Sequence, residues 1–203
     1  MANYYYSENP DVESKQRVWE FELLGNNFKF TTDNGVFSKS TVDFGSRVLI
    51  DAVQSEYDLS TAKILDVGCG YGPIGLSFAK KNPQARVTMV DVNEIAMDLA
   101  RTNAQNNHIE NVEIFASNQY QNVTATDYNF VITNPPIRAG KDVVHGILSG
   151  AKDHLKIGGK LIAVIQKKQG APSAEKKMNE VFGNCKIITK KKGYFILSSV
   201  KES

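Results

Sequence analysis

The sequence predicts an α/β fold built on a doubly wound, mostly parallel sheet, and two observations predict it. From residue 63 onward, short apolar runs of strand length alternate with longer segments whose apolar residues have helical spacing. That alternation is typical of a parallel sheet with helices on both faces. The last two strand-like segments are joined by a short turn around Lys191, Lys192 and Gly193, so this final pair must be antiparallel.

The first sixty residues predict a small extension, a β-hairpin followed by a helix. Residues 18–32 alternate apolar and polar side chains on either side of the turn residues Gly25, Asn26 and Asn27. Residues 41–55 change to helical spacing. We therefore expect an N-terminal hairpin and helix cap at 1–60 and one compact domain at 61–203.

The elements of the second segment follow in order. Strands are predicted at 64–67, 86–90, 112–115, 128–133, 160–166, 185–189 and 194–200. Helices are predicted at 73–81, 93–107, 143–155 and 174–182. Pro73 suits the first turn of its helix, and Asn93 suits a helix N-cap. Gly158 and Gly159 are expected to break the chain between helix 143–155 and strand 160–166.

Composition excludes several classes of protein. A chain of 203 residues with 41% apolar and 23% charged residues is an ordinary globular protein. No apolar run approaches the ~20 residues of a membrane span, and the polar, aromatic N-terminus is not that of a signal peptide. Cys69 and Cys185 have no metal-ligand spacing. We expect reduced thiols in a cytoplasmic protein that binds no metal and no membrane.

The charge is distributed unevenly along the chain. The net charge is only +2, but residues 151–203 contain 12 basic and 4 acidic residues. Such a segment indicates either a surface that binds a polyanion or a solvated, lysine-rich face.

A glycine-rich loop follows the strand at 64–67 and precedes the helix at 73–81. It contains Gly68, Cys69, Gly70 and Gly72, and Asp66 comes before it. Glycines allow a tight turn and the close approach of a ligand to the backbone, and in nucleotide-binding folds this position takes a pyrophosphate. An acid before the loop repels a pyrophosphate but suits the amino group of S-adenosylmethionine, which has no phosphate. The alternative is a tight strand-to-helix turn with no ligand.

Two further positions predict contacts with the nucleoside part of that cofactor. Asp91 ends the strand at 86–90, where a carboxylate can accept both hydroxyl protons of a ribose, and Val92 follows it. Asp91 could instead serve only to cap the helix beside Asn93. Asn118, after the next strand, could hydrogen-bond the adenine, a role that Ser117 or Gln119 could also take.

The strand at 128–133 continues into Asn134, Pro135, Pro136 and Ile137, which is the most specific motif in the chain. A residue before proline is held in an extended conformation, and Pro136 has no N–H and a fixed φ. The result is a rigid pair of acceptors, the Asn134 side-chain oxygen and the Pro135 carbonyl. Two acceptors that bind the hydrogens of a ring-attached amine favour a pyramidal nitrogen whose lone pair can attack a methyl sulfonium. We expect Asn134→Asp, which keeps the acceptors, to retain more activity than Asn134→Ala.

These motifs resemble class I methyltransferases of the Asn-Pro-Pro-aromatic type. With Gly35-Val36-Phe37-Ser38 and Val42-Asp43 upstream, they are similar to the catalytic domain of the small-subunit ribosomal RNA guanine-N2 methyltransferase family, in a short single-domain form that begins near Tyr5-Tyr6-Ser7. The resemblance implies a seven-stranded Rossmann-like sheet with an antiparallel last strand and S-adenosylmethionine as methyl donor. It implies catalytic roles for Asn134, Pro135 and Pro136, with Asn134 also touching the cofactor. The implied partner is ribosomal RNA or the small ribosomal subunit, bound by a monomer or homodimer.

The chain departs from the family pattern at Ile137, where an aromatic side chain commonly stacks on the target base. Either the apolar Ile137 suffices for this contact or another ring, such as Phe37, supplies the stacking. Arg138 and Lys141 follow the motif, so they either bind a phosphate beside the base or are ordinary loop charges.

Three other functions compete with this interpretation. The same pocket could methylate a protein glutamine amide or a small-molecule amine. The chain could bind S-adenosylmethionine without catalysis as a ribosome assembly factor, although the intact Asn134-Pro135-Pro136 argues against this. A nicotinamide dehydrogenase is disfavoured by the glycine spacing and by the preceding acid.

Overall fold

The fold is described from a computed structural model that covers residues 13–36, 38 and 40–203. Phe37 and the segment Tyr5-Tyr6-Ser7 lie outside the described residues. The strands are β1 Arg17–Leu23, β2 Asn26–Thr32, β3 Lys63–Val67, β4 Arg86–Asp91, β5 Val112–Ala116, β6 Tyr128–Thr133, β7 Leu155–Gln166, β8 Lys186–Lys191 and β9 Tyr194–Val200. The helices are α1 Phe44–Glu56, α2 Pro73–Lys81, α3 Glu94–Asn106, α4 Lys141–His154 and α5 Ala171–Phe182.

The main sheet has seven strands in the order β5-β4-β3-β6-β7-β9-β8, which confirms the predicted fold class. The strands β3 to β7 are parallel to one another, and β9 is antiparallel to both β7 and β8. The strand order reverses between β3 and β6, and ligands of open α/β sheets bind at such a reversal, outside the carboxyl ends of the strands. The glycine loop after β3 and Asn134 after β6 therefore meet there.

Apolar side chains cover both faces of this sheet. One cluster, which includes Leu49 of α1, Leu76 of α2 and Met97 of α3, packs on one face. A second cluster, which includes Leu148 of α4 and Met178 of α5, packs on the other. Because both faces of the sheet are buried, the strands are continuous apolar runs in the sequence and do not alternate apolar with polar side chains.

The N-terminal hairpin packs on the first of these clusters. Phe28 and Phe30 of β2 are completely buried there. The turn falls at Leu24 and Gly25, with φ of 52° and 75°, whereas the sequence placed it at Gly25, Asn26 and Asn27. Asn26 and Asn27 instead belong to β2, because positive φ at both central residues gives the two-residue turn that matches the twist of a hairpin.

The predicted break at Gly158 and Gly159 is wrong. Helix α4 ends at His154 and β7 begins at once with Leu155, so that both glycines lie inside the strand. Gly158 has φ of 80°, and the pairing of β6 with β7 shifts register here. A Cβ at Gly159 would lie 2.8 Å from the Tyr128 carbonyl oxygen, so Gly158 allows the positive φ and Gly159 the close approach of an irregular strand.

The part of the chain that the structure describes contains neither a membrane-spanning helix nor a cluster of metal-binding side chains. No helix in ranges 13–36 and 40–203 is long and apolar enough to cross a membrane. No group of three or more histidine, cysteine or acidic residues in the same part of the chain could hold a metal ion.

Candidate active site

A cavity of about 300 Å³ lies at the carboxyl ends of the parallel strands. We call it the sheet-edge cavity. Its lining brings together most of the predicted site residues, namely Gly68, Cys69, Gly70, Asp91, Val92, Asn134, Pro135, Pro136, Ile137 and Arg138. These residues come from the ends of three neighbouring strands, as the topology requires.

The glycine loop lies at one end of the sheet-edge cavity. The backbone N–H groups of Gly68 and Cys69 both donate to the Val90 carbonyl, at 2.9 and 3.0 Å, which ties the loop to the end of β4. Gly68 and Gly70 have positive φ, and a Cβ on either would have no atom within 4 Å. The loop therefore forms a cradle in which a ligand can approach the backbone directly.

Gly72 has a different role from the other two glycines. It precedes α2 with φ of 101°, and a Cβ there would lie 2.8 Å from Leu76 Cδ1 and 2.9 Å from Met89 Cε. Close packing of α2 against β4 therefore requires a glycine at this position, which is not among the cavity-lining residues.

Asp91 faces the sheet-edge cavity with its carboxylate held in place. One oxygen accepts from the Gly70 N–H at 2.9 Å, and the other accepts from the Asn93 N–H at 3.0 Å. Burial raises the pKa of this carboxyl, and the backbone hydrogen bonds act in the opposite direction. Each carboxylate oxygen can accept a further hydrogen bond, so Asp91 can also bind ligand hydroxyls.

Asp66 lies beneath the glycine loop rather than in the cavity lining. Its Oδ2 accepts from the Gly75 N–H at 2.9 Å and so supports the first turn of α2, while its Oδ1 is buried with no hydrogen-bond partner. Burial raises the pKa of Asp66 to about 7, with a smaller contribution from the charge of Asp91. A role in contacting the cofactor amine stays a prediction for this residue.

The Asn134 side chain is oriented by the start of α1. Its Nδ2 donates to Asp43 Oδ2 at 3.2 Å and to Ser46 Oγ at 3.0 Å. Asp43 is also the N-cap of α1, because the same Oδ2 accepts from the Ser46 N–H at 3.0 Å. Since both amide hydrogens have acceptors, the Asn134 Oδ1 is the end of the side chain that remains for a substrate.

The backbone after Asn134 supplies a second acceptor. The carbonyls of Pro136 and Ile137 accept from Ala139 and Gly140 in a short 3₁₀ turn. Pro135 lines the sheet-edge cavity, and no donor among the described residues binds its carbonyl. The hydroxyl of Thr133 donates to the Val67 carbonyl at 2.8 Å and fixes the end of β6 against the end of β3. The predicted acceptor pair is therefore rigidly placed beside the glycine loop.

Two other predicted residues do not line the sheet-edge cavity. Its wall includes Ser117 and Gln119, on either side of Asn118, but not Asn118 itself. Lys141, at the start of α4, lines a separate surface cleft with His145, whose Nε2 lies 3.1 Å from Ser173 Oγ. Burial and the nearby charges of Lys141 and Lys177 lower the pKa of His145.

Several lining residues were not predicted as site residues. Ser46 and Asp43 come from α1 and its cap, and Gln169 and Tyr194 come from the far side of the sheet. Only Asp43 lay in a motif that the sequence singled out. Ser46 reaches the cavity on α1, and Gln169 and Tyr194 reach it through the pairing of β7 with β9, which places Tyr194 opposite Gln166. No local pattern encodes that approach.

The chain is similar to known methyltransferases in sequence and in structure. The family described as "Methyltransferase small domain" matches residues 27–198. A protein of Bacillus subtilis (strain 168), "Uncharacterized protein YbxB", is 50% identical over 202 residues, which are 99% of this chain and 100% of that protein. "Ribosomal RNA small subunit methyltransferase C" of Escherichia coli (strain K12 / DH10B) is 32% identical over 186 residues, or 89% of this chain and 51% of that protein.

The solved structures include a close structural match. "T. Thermophilus 16S rRNA N2 G1207 methyltransferase (RsmC) in complex with AdoMet and Guanosine" has a TM-score of 0.83 at 25% identity, covering 95% of this chain and 52% of that one. The chain thus spans about half the length of the ribosomal RNA methyltransferases that it matches. A methyltransferase from Pyrococcus furiosus, at 24% identity and a TM-score of 0.67, shares the fold over 81% of this chain and 86% of that one.

Proposed function

The chain belongs to the methyltransferase small domain family and is an S-adenosylmethionine-dependent methyltransferase, and we propose that it methylates an exocyclic amine of a ribosomal RNA base, N2 of guanine. The observation that carries this proposal is the orientation of Asn134. Its amide hydrogens are bound by Asp43 and Ser46, so that its oxygen and the Pro135 carbonyl remain as acceptors on the cavity wall.

The sheet-edge cavity fits the methyl donor. S-adenosylmethionine supplies an electrophilic methyl group on a sulfonium that is attached to an adenosine and an amino-acid tail. The open space above Gly68 and Gly70 accommodates a ligand against the backbone. Asp91, held by Gly70 and Asn93, would accept the ribose hydroxyls. Ile74, Ala96 and Ile147 supply apolar walls on which an adenine can pack.

The acceptor pair accounts for the choice of an amine as substrate. An exocyclic amine has two hydrogens, and its lone pair is delocalised into the ring. Asn134 Oδ1 and the Pro135 carbonyl accept one hydrogen each, which orients the amine and stabilises the positive charge that develops on nitrogen during transfer. His145 lies in the separate surface cleft rather than at this pair. Solvent can accept the proton that is released after transfer.

Two observations support a ribosomal RNA base over other amines. Relatives at 32% identity are named as ribosomal RNA methyltransferases, and one solved relative holds both AdoMet and guanosine. The C-terminal quarter of the chain, with 12 basic and 4 acidic residues, supplies the positive charge that a polyanionic substrate needs. Such a substrate would place the enzyme in the cytoplasm with the ribosome.

The test is a map of methylated nucleotides. Ribosomal RNA from a strain that lacks the gene is compared by mass spectrometry with RNA from its parent, and the strain is complemented with the wild-type gene or with Asn134→Ala. We expect one N2-methylguanosine to be absent from the deletion strain, restored by the wild type and not restored by the variant. Identical maps in all four strains contradict the proposal, whereas loss of methylation from a protein glutamine assigns the same pocket to a different substrate.

A further inference from the structure

We propose that Tyr194 is the platform on which the ring of the acceptor base stacks while its amine is held by Asn134. This inference rests on the proposed function, because it assumes that the substrate is a nucleobase. An exocyclic amine is attached to a planar heterocycle, so fixing the amine also brings that ring against the cavity wall. A flat aromatic side chain at this point binds the ring in a way that an aliphatic side chain does not.

The position of Gly45 shows that Tyr194 lies beside Asn134. A Cβ on Gly45 would lie 2.8 Å from Tyr194 Cε1 and 3.3 Å from Asp43 Oδ2. That Asp43 oxygen is the one that accepts from Asn134 Nδ2 at 3.2 Å. The edge of the Tyr194 ring, the Asp43 carboxylate and the Asn134 amide therefore adjoin one another, and the absence of a side chain at residue 45 makes room for the ring.

The Tyr194 ring is supported from behind. It packs against Phe44 of α1, with 5.6 Å between ring centroids and 57° between ring planes. Its backbone begins β9 and pairs with Gln166 at the end of β7. The side chain is half-buried and lines the sheet-edge cavity. A ring fixed on one side and open to the cavity on the other can stack on a base with little loss of conformational entropy.

The other aromatic ring in the described cavity wall, that of Tyr71, already packs against other aromatic side chains. Tyr71 is buried, and its hydroxyl donates to the Thr41 carbonyl. Its ring packs edge-on against Trp19 and Phe30 of the N-terminal hairpin. Tyr71 is therefore part of the core beneath the glycine loop, and Tyr194 is the ring that faces the substrate side.

The experiment compares Tyr194→Leu with Tyr194→Phe. Leucine keeps an apolar side chain but removes the ring, whereas phenylalanine removes only a hydroxyl that has no hydrogen-bond partner among the described residues. Steady-state methylation of unmodified small-subunit ribosomal RNA gives kcat/KM for each variant, and calorimetry with S-adenosylmethionine reports whether the rest of the cavity is intact. Tyr57→Ala is the matched control, because Tyr57 packs on Phe130 near the opposite end of the sheet.

We expect Tyr194→Leu to lower kcat/KM by about 10- to 100-fold, the range of one base–aromatic stack, with cofactor affinity preserved. Tyr194→Phe should lose far less, and Tyr57→Ala should leave kcat/KM unchanged. Equal kcat/KM for Tyr194→Leu and the wild type overturns the inference and leaves the proposed function standing. Equal losses in the Leu and Phe variants assign the effect to the hydroxyl and also overturn it. A wild-type protein that binds S-adenosylmethionine but methylates no ribosomal RNA overturns the proposed function and this inference together.

Discussion

The two ends of the Asn134 side chain have different roles, because its NH2 group holds the side chain in place and its oxygen is left for a substrate. An amide has a donor end and an acceptor end, and here the donor end is bound by Asp43 and Ser46. Because Asp43 is an acceptor only, it determines which end of the amide faces the sheet-edge cavity. This contact also changes what we expect of substitutions at the motif. An aspartate at position 134 would place two carboxylates within about 3 Å, where like charges repel.

The resulting prediction is a charge swap between positions 134 and 43. Asn134→Ala should lower single-turnover methylation by ~10²-fold or more, the scale of losing one transition-state hydrogen-bonding group. Asn134→Asp alone should lose a comparable amount, contrary to the expectation from the sequence that it retains more. The double variant Asn134→Asp/Asp43→Asn should recover part of that loss, because asparagine both donates to the new carboxylate and remains a good N-cap.

Asp43→Asn alone serves as the control for the swap, and it should reduce turnover because two amides no longer fix each other's orientation. A double variant no more active than Asn134→Asp would show that Asp43 does not orient the motif. Single-turnover conditions are needed so that product release does not hide the chemical step.

Asp66 leads to a prediction about pH and stability. Its pKa in the folded protein is about 7, raised chiefly by burial, against an ordinary value of 3.8. The folded state therefore favours protonated Asp66. The contribution of this group to the free energy of unfolding is complete below about pH 4 and is lost as the pH rises through about 7. Since one pKa unit corresponds to about 1.4 kcal/mol, the loss is on the order of 4 kcal/mol.

Asp66→Asn should remove this pH dependence, because an uncharged amide can still accept from the Gly75 N–H. The measurement is urea unfolding of the cofactor-free protein between pH 5 and pH 8. The free energy of unfolding of the wild type should fall relative to that of Asp66→Asn as the pH rises. The exposed Asp153 offers a control, since Asp153→Asn should follow the wild-type curve. Parallel curves for the wild type and Asp66→Asn would show that Asp66 is ionised without cost.

The residues of the site differ in how much of their role the sequence predicts. The glycine loop and the Asn134-Pro135-Pro136 motif were predicted because they are contiguous and need an unusual backbone. Asp66 was predicted from the same motif, but its carboxylate turned toward α2 instead of the cavity. Ser46 and Tyr194 were not predicted, since each approaches the site only through tertiary packing of α1 and β9.

At the scale of elements, most strands and helices were predicted within a few residues, and the exceptions have a common cause. The hairpin turn and the start of β7 both depend on positive φ, at Leu24 and Gly158. A leucine gives no signal for that conformation, and a Gly-Gly pair favours a break as much as a bulge. The position of the hairpin turn and the start of β7 both depend on pairing with neighbouring strands. The sequence pattern of a single segment carries no information about that pairing.

Helix α3 shows a contact between elements that the sequence did not predict. Asn103 accepts from the Thr31 N–H at 2.7 Å and donates to the Thr31 carbonyl at 3.0 Å and to the Tyr71 carbonyl at 2.9 Å. One turn later, Asn107 binds the N–H and carbonyl of Lys29 in the same way. The two amides thus take the place of a third strand along the edge of β2.

Asn103→Ala should therefore destabilise the whole protein. It would leave one N–H and two carbonyls without partners at a completely buried site, at a cost on the order of 2–4 kcal/mol. Chemical denaturation gives the free energy of unfolding, and Asn106→Ala, on the exposed side of the same helix, is the matched control. We expect a single cooperative transition at a lower denaturant concentration. Two separate transitions would show instead that the hairpin unfolds independently of the sheet.

In the whole molecule, five of the 12 basic residues of the C-terminal quarter lie beside the active site. Five exposed lysines, which we call the lysine rim, lie after β7, at the end of β8 and in the turn that follows it: Lys167, Lys168, Lys190, Lys191 and Lys192. The Lys167 N–H donates to the Gly193 carbonyl at 2.7 Å and so joins the two parts of the rim. Gln169 and Tyr194, neighbours of the rim in sequence, line the sheet-edge cavity. The sequence left open whether these lysines bind a polyanion or only solvate a face, and their position favours the first.

We expect the lysine rim to be the surface that binds RNA phosphates. Charge reversal at Lys190, Lys191 and Lys192 to glutamate is compared with the same reversal at Lys29, Lys81 and Lys156, which are exposed outside the rim. Both triple variants change the net charge equally, so long-range attraction of RNA falls in both, and only loss of direct contacts separates them.

The measurement is the affinity for ribosomal RNA over a series of salt concentrations. Each phosphate contact contributes about 0.7 to the slope of log K against log salt for a single strand, so the rim variant should lose about 2 from that slope. The control should keep its slope, and both variants should bind S-adenosylmethionine like the wild type. Equal slopes in the two variants would mean that these lysines are a solvated face and that the RNA is held elsewhere on the molecule.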